Sequence, residues 1–182
     1  MSEEAVKSAT PVGPDEKAYA VMGYLQDGVV WGNAVIKEQI RISTWLRTSA
    51  APDFLTLYEG KYLNTTGGAN QKPISFPELH VPTKSVLGFH ALPPYADPLD
   101  YDPTEENRRM DPVSVLVGSF RFDAFIRLSA ISTMGKYIEV TREEFSLLYD
   151  LSITCLTIPT LGTMKVPFAI VRQQLVNRCK RP

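Results

Sequence analysis

Between Phe120 and Leu128 the chain alternates with a period of two. Phe120, Phe122, Ala124, Ile126 and Leu128 fall on one side, and Arg121, Asp123, Phe125 and Arg127 on the other. Successive side chains of a strand point to opposite faces, so this segment reads as a half-buried β-strand and not as a helix. Phe125 is the one apolar residue on the polar side. Fourteen prolines and eleven glycines in 182 residues work against long helices and favour many short elements. The expected fold class is mainly β.

The strand has an apparent counterpart earlier in the chain. Gly32-Asn33 leads to Ile40-Arg41-Ile42-Ser43, and Gly118-Ser119 leads to Ile126-Arg127-Leu128-Ser129. Leu57-Tyr58-Glu59 is matched by Leu148-Tyr149-Asp150, and Val81-Pro82 by Val166-Pro167. Four landmarks in one order predict a duplication. The expectation is two tandem homologous small β-barrel or sandwich units, with Gly32 on Gly118, Arg41 on Arg127 and Val81 on Val166. Phe54–Leu63 and Val81–Leu92 are read as further strands of the first unit, and Leu147–Thr154 and Lys165–Gln173 of the second. Glu38, an acid in an apolar register, predicts a bulge or strand break. Each Val-Pro removes a ladder donor, so its strand should begin there or lie at an edge.

The units are expected at 19–92 and 113–173, with a flexible arm at 1–18, a Pro-rich connector at 93–112 and a basic tail at 174–182. Within the connector, Asp102-Pro103-Thr104-Glu105 has the form of a helix start, which predicts a short helix over Pro103–Met110. Ser43–Arg47 reads as one helical turn capped by Ser43. Thr141–Asp150 fits either a helix, by its capping-box spacing, or a strand, by its match to the first unit. Each unit is too small to bury a large core alone, so the units should pack on each other or on a second chain.

The chemistry-bearing residues are sparse. There are two histidines, His80 and His90, and two cysteines, Cys155 and Cys179. No nucleophile motif, zinc signature or phosphate-binding glycine loop is present. The acidic residues Asp97, Asp100, Asp102, Glu105 and Glu106 lack the spacing of a calcium loop. No catalytic residue, metal ligand or cofactor is therefore assigned. With 19 Lys+Arg against 20 Asp+Glu, no global charge points to nucleic acid. The candidate anion-binding residues are Arg41 and Arg127, one per unit, and Arg172, Arg178, Lys180 and Arg181 at the basic end. Phe125, Trp31, Tyr95 and Tyr101 stand outside the core pattern and are the candidate interface, since aromatics are enriched at protein–protein surfaces. The acidic start of the chain has no basic and apolar leader pattern, and no uncharged run is long enough to span a bilayer. A cytoplasmic protein without membrane insertion is expected.

Gly32–Leu63 and Gly118–Ile153 resemble small β-barrels of the Sm-like or SH3-like kind, although neither carries the Asp-x-x-x-Asn signature that reads RNA. The Arg-(Ile/Leu)-Ser and Tyr101–Met110 segments are similar to an uncharacterised bacterial family, which implies a fold and no activity. The expected function is a non-catalytic bacterial interaction or assembly module that associates with a protein partner or itself, most simply as a homodimer. An enzyme of hydrolase type and a weak nucleic-acid-binding small barrel are the alternatives.

Overall fold

The computed structural model describes residues 10–68, 70–94, 98 and 100–180. They form ten strands: β1 (Glu16–Tyr24), β2 (Gly28–Lys37), β3 (Phe54–Asn64), β4 (Ile74–Pro82), β5 (Gly88–Ala91), β6 (Arg108–Val117), β7 (Phe120–Ser129), β8 (Phe145–Cys155), β9 (Thr163–Arg172) and β10 (Asn177–Lys180). All pair antiparallel in one sheet of order β10-β6-β7-β8-β9-β5-β1-β2-β3-β4. A 3-10 turn, Ile42–Arg47, lies between β2 and β3, and helix α1 (Met134–Val140) between β7 and β8. The mainly β reading holds.

The alternation of β7 is realised directly. Phe120, Phe122, Ala124, Ile126 and Leu128 are buried, while Phe125 is 36% exposed. Two apolar clusters form the core, and each borrows from the other half of the chain. One, built mainly on β6–β9, takes in Tyr24, Val29, Leu63 and Leu87. The other, built mainly on β1–β5, takes in Phe145 and Ile170. The halves are therefore bound by shared burial, a non-directional force proportional to the apolar area removed from water.

Two glycines fix close approaches. Gly32 sits where the β2–β3 register shifts between Trp31 and Asn33, and a Cβ there would meet Tyr58 O at 2.8 Å. Gly118 has φ +56, and a Cβ would meet Leu25 O at 2.4 Å. The β6–β7 turn thus abuts the β1–β2 turn in a backbone conformation that favours glycine.

Several expectations are corrected. Ile40–Ser43 is not a strand. Ile40 N–H closes a turn on Lys37 O at 3.0 Å, and Ile42 and Ser43 open the 3-10 turn. Ile126–Ser129 is the end of β7, so Arg41 and Arg127 do not coincide. Gly32 lies inside a strand and Gly118 in a turn. β2 does end at Lys37, before Glu38. The 3-10 turn forms where a helical turn was expected, but Ser43 is inside it and gives no cap. Val81–Leu92 is the end of β4, a 3-10 turn and β5. Val81-Pro82 does lie on an edge strand, as one of the two alternatives expected, and closes it. Val166-Pro167 lies inside β9, outside the stretch of β9 that pairs with β5 through Ile170 and Val171.

No helix forms over Pro103–Met110. The Asp102 carboxylate accepts the Thr104 N–H at 2.8 Å and its hydroxyl at 2.6 Å. Two successive turns follow, Glu105 N–H to Asp102 O and Arg108 N–H to Glu105 O, both at 3.3 Å. Arg108 and Arg109 then pair with Ser129 and Leu128, so their backbone groups are taken by the sheet. Residues 177–180, expected in a tail, are strand β10 on β6. Of the two readings of Thr141–Asp150, the strand holds from Phe145 onward. Among the described residues, no helix is long and apolar enough to cross a membrane.

Candidate functional site

A polar cleft of about 340 Å³ opens between the halves, lined by Arg47, Arg108, Arg127, Tyr137, Glu143 and Tyr149 among others. The period of β7 puts Arg127 on its outer face. The guanidinium lies 4.5 Å over the Tyr101 ring and donates to Asp102 O at 3.2 Å and Glu105 Oε2 at 2.5 Å. That bond from Arg127 holds the Glu105 carboxyl below its usual range. From the other side, Arg47 of the 3-10 turn pairs with Glu143, just ahead of β8. Tyr149 donates to Asp100 Oδ1 at 3.1 Å and meets the rings of Tyr101 and Phe168 edge-on. Burial first, then the Asp100 carboxylate, pushes the Tyr149 phenol up.

Arg41 lines an adjoining recess with Ser43, Tyr149 and Phe168. Arg41 and Arg127 thus flank one tyrosine from non-equivalent elements, and are not the symmetric pair expected. The other basic candidates do not form a tail patch. Arg172 is 6% exposed; it donates to Val86 O at 3.0 Å and Thr83 O at 2.8 Å, pairs with Glu144 and lies 4.5 Å over the Phe145 ring. It ties β9 to the turn before β5. Arg178 is half-buried and donates to Gln173 O at 2.8 Å and Ser146 Oγ at 3.0 Å. Burial lowers the pKa of both arginines. Lys180 ends β10, and Arg181 lies outside the described residues, as do Tyr95 and Asp97.

Of the interface candidates, Phe125 is on the surface. Trp31 is half-buried against the core, and Tyr101 is packed between Arg127 and Tyr149. More exposed apolar side chains stand at the β4 edge. β4 ends the sheet and is exposed along most of its length, with Ile74 55% and Phe76 37% exposed and Phe54 of β3 54% exposed. Sequence reasoning missed this edge, together with Arg47, Tyr137 and Glu143. The alternation of Ile74 and Phe76 with Ser75 and Pro77 was the signal that β4 starts there.

The histidines sit apart. His80 is exposed on β4, 3.0 Å from Thr56 Oγ1. His90 is buried in β5, bonded to Tyr24 and to its neighbour's carbonyl, Ala91 O. Burial lowers its pKa to about 4. No family model, curated protein or solved structure matches this chain.

Proposed function

We propose that this protein is a non-catalytic assembly module, made of two tandem five-stranded units that self-associate through the free edges of their common sheet. The carrying observation is the strand order. β1–β5 run β5-β1-β2-β3-β4, and β6–β10 run β10-β6-β7-β8-β9. The ladders support matching the two sets. Val21 pairs with Ala91 as Val113 pairs with Lys180. Phe54 pairs with Pro82 as Phe145 pairs with Arg172. Both β2–β3 and β7–β8 carry one register shift, beside Glu59 and Asp150, whose φ values are 50 and 49. On this reading Glu59 matches Asp150, while Gly32 matches Ala124 and Val81 matches Val171.

The contact that joins the two units is then a fourth strand, β9, on a fifth strand, β5. The unpaired edges are the other fourth and fifth strands, β4 and β10. Setting β10 of one copy on β4 of the next repeats the internal joint head to tail. Carrying over the register of Gly88 with Val171 places Asn177 opposite Val81 and a basic residue, Lys180, opposite an acidic one, Glu78. Unpaired edges are templates for further strands. Pro82 stands where β9 has Arg172, whose N–H reaches Leu87 O at 2.7 Å. The contact between copies therefore lacks that bond and is weaker than the joint within the chain.

The test is light scattering over a range of concentrations. Mass should rise from about 20 kDa with concentration. Glu78→Lys should reduce the rise, and Glu78→Lys with Lys180→Glu should restore it. A monomer at every concentration rejects the reading.

A further inference from the structure

We infer that the cleft between the halves binds the phosphate group of a small phosphorylated molecule. Three of its lining side chains are arginines, Arg47, Arg108 and Arg127, and one is a carboxylate, Glu143. Arginine presents a planar fork of donors that fits phosphate oxygens two at a time. The cleft is wide enough for a small organic phosphate, at about 340 Å³.

Both inner arginines are more enclosed than their carboxylate partners, and Arg127 is also held by other groups. Arg127 has 18% of its side chain exposed, and Glu105 has 41%. Arg47 has 22% exposed, and Glu143 has 60%. The Tyr101 ring and Asp102 O keep Arg127 in place without Glu105. Both glutamates are exposed and lie in the irregular segments that precede strands. An exposed ion pair contributes only modestly, so each glutamate can swing into water when a stronger anion arrives. A dianionic phosphate replaces two separate carboxylates and engages guanidiniums from both halves at once. The tyrosines add hydroxyls at the wall, but Tyr149 is committed to Asp100 and Tyr137 to Ser146. Recognition therefore rests on the arginines. This site is independent of the strand edges and stands whether or not the protein self-associates.

The experiment titrates the full chain with inorganic phosphate and with adenosine monophosphate, followed by calorimetry and by amide shifts of residues 126–127 and 143–149. Saturable binding of both probes is expected. Binding of the ester alone also supports the site, with contacts beyond the phosphate. Arg127→Met should weaken binding by about tenfold or more, the loss of a charged hydrogen-bonded contact. Glu105→Gln and Glu143→Gln, both at exposed positions, should strengthen it about two- to fivefold, because the phosphate no longer displaces a carboxylate. These variants keep the test valid should Arg127→Met fail to fold. No binding of either probe at millimolar concentration overturns the inference. So does binding that neither glutamine variant strengthens.

Discussion

The Tyr24 hydroxyl lies 3.0 Å from His90 Nε2, and both side chains are buried. His90 Nδ1 is 2.9 Å from Ala91 O, an atom that can only accept, so Nδ1 carries a proton, and Nε2 faces the Tyr24 hydroxyl, which also lies 3.2 Å from Met22 Sδ. Burial lowers the His90 pKa from 6.5 to about 4. The unfolded chain takes up this proton below about pH 6.5, and the folded chain does so only near pH 4. The stabilisation is complete above pH 6.5 and is lost as pH falls toward 4, by about 3 kcal/mol from this group. Urea denaturation at a series of pH values should show that slope. His90→Gln should flatten it, and an unchanged slope would assign the loss to other groups.

Arg172 and Glu144 form a lopsided pair, with 8% of the arginine side chain exposed and 66% of the glutamate's. The guanidinium also satisfies Val86 O and Thr83 O. Removing it leaves the buried Val86 O without that donor, at about 1–3 kcal/mol, and takes a charge-assisted bond from Thr83 O, which keeps the Val86 N–H at 3.1 Å. Arg172→Met should therefore destabilise by about 2–4 kcal/mol in denaturant titrations. Glu144→Gln should cost less than about 1 kcal/mol, as befits an exposed carboxylate. Equal effects would mean that the ion pair, not the carbonyl contacts, holds the joint.

Phe125 and Phe122 are three positions apart on opposite faces of β7. Phe122 is fully buried and Phe125 is 36% exposed. Phe122→Ala should cost about 3–5 kcal/mol, whereas Phe125→Asp should stay within about 1 kcal/mol. Thermal melts of both variants check the contrast. A large loss at Phe125 would place it in the core.

The difference between these two phenylalanines was legible in the sequence because alternation is a local property of one strand. The same local logic found β3 and the turn at Trp45, and left the first half of β8 open between helix and strand. It failed where the answer depends on a partner strand. The match of Ile40–Ser43 with Ile126–Ser129 is one of residue identity, but position in a ladder is what fixes structure. Glu38 stopped β2 before that match could become a strand. In the correspondence we infer from the ladders, Phe89 stands against Arg178 and Pro82 against Arg172, pairs with no chemical likeness. Likewise Arg127 was singled out, but nothing in the sequence brings Arg47 and Glu143 to it. Those side chains meet only because β9 packs on β5 and carries the turn before β8 toward the 3-10 turn.

One landmark has the same backbone feature in both places, and it yields the last prediction. Glu59 and Asp150 have φ values of 50 and 49, in the left-handed region. Each follows a Leu-Tyr pair and lies where the facing strand's register shifts. Residues other than glycine, asparagine and aspartate are strained there, and branched ones most. Asp150→Gly relieves the backbone but frees the unfolded chain, so stability should change by no more than about 0.5 kcal/mol. Asp150→Val should lose about 1–2 kcal/mol or more. Glu59→Val should lose a similar amount, plus the bond from Asn33 Nδ2 at 3.1 Å. Because both side chains are exposed, these losses cannot come from packing. Urea midpoints of the four variants Asp150→Gly, Asp150→Val, Glu59→Gly and Glu59→Val make the comparison. Valine tolerated at both positions would show that the left-handed turn is not enforced by the fold. Valine tolerated at one position and costly at the other would separate the two bulges that the tandem reading treats as one.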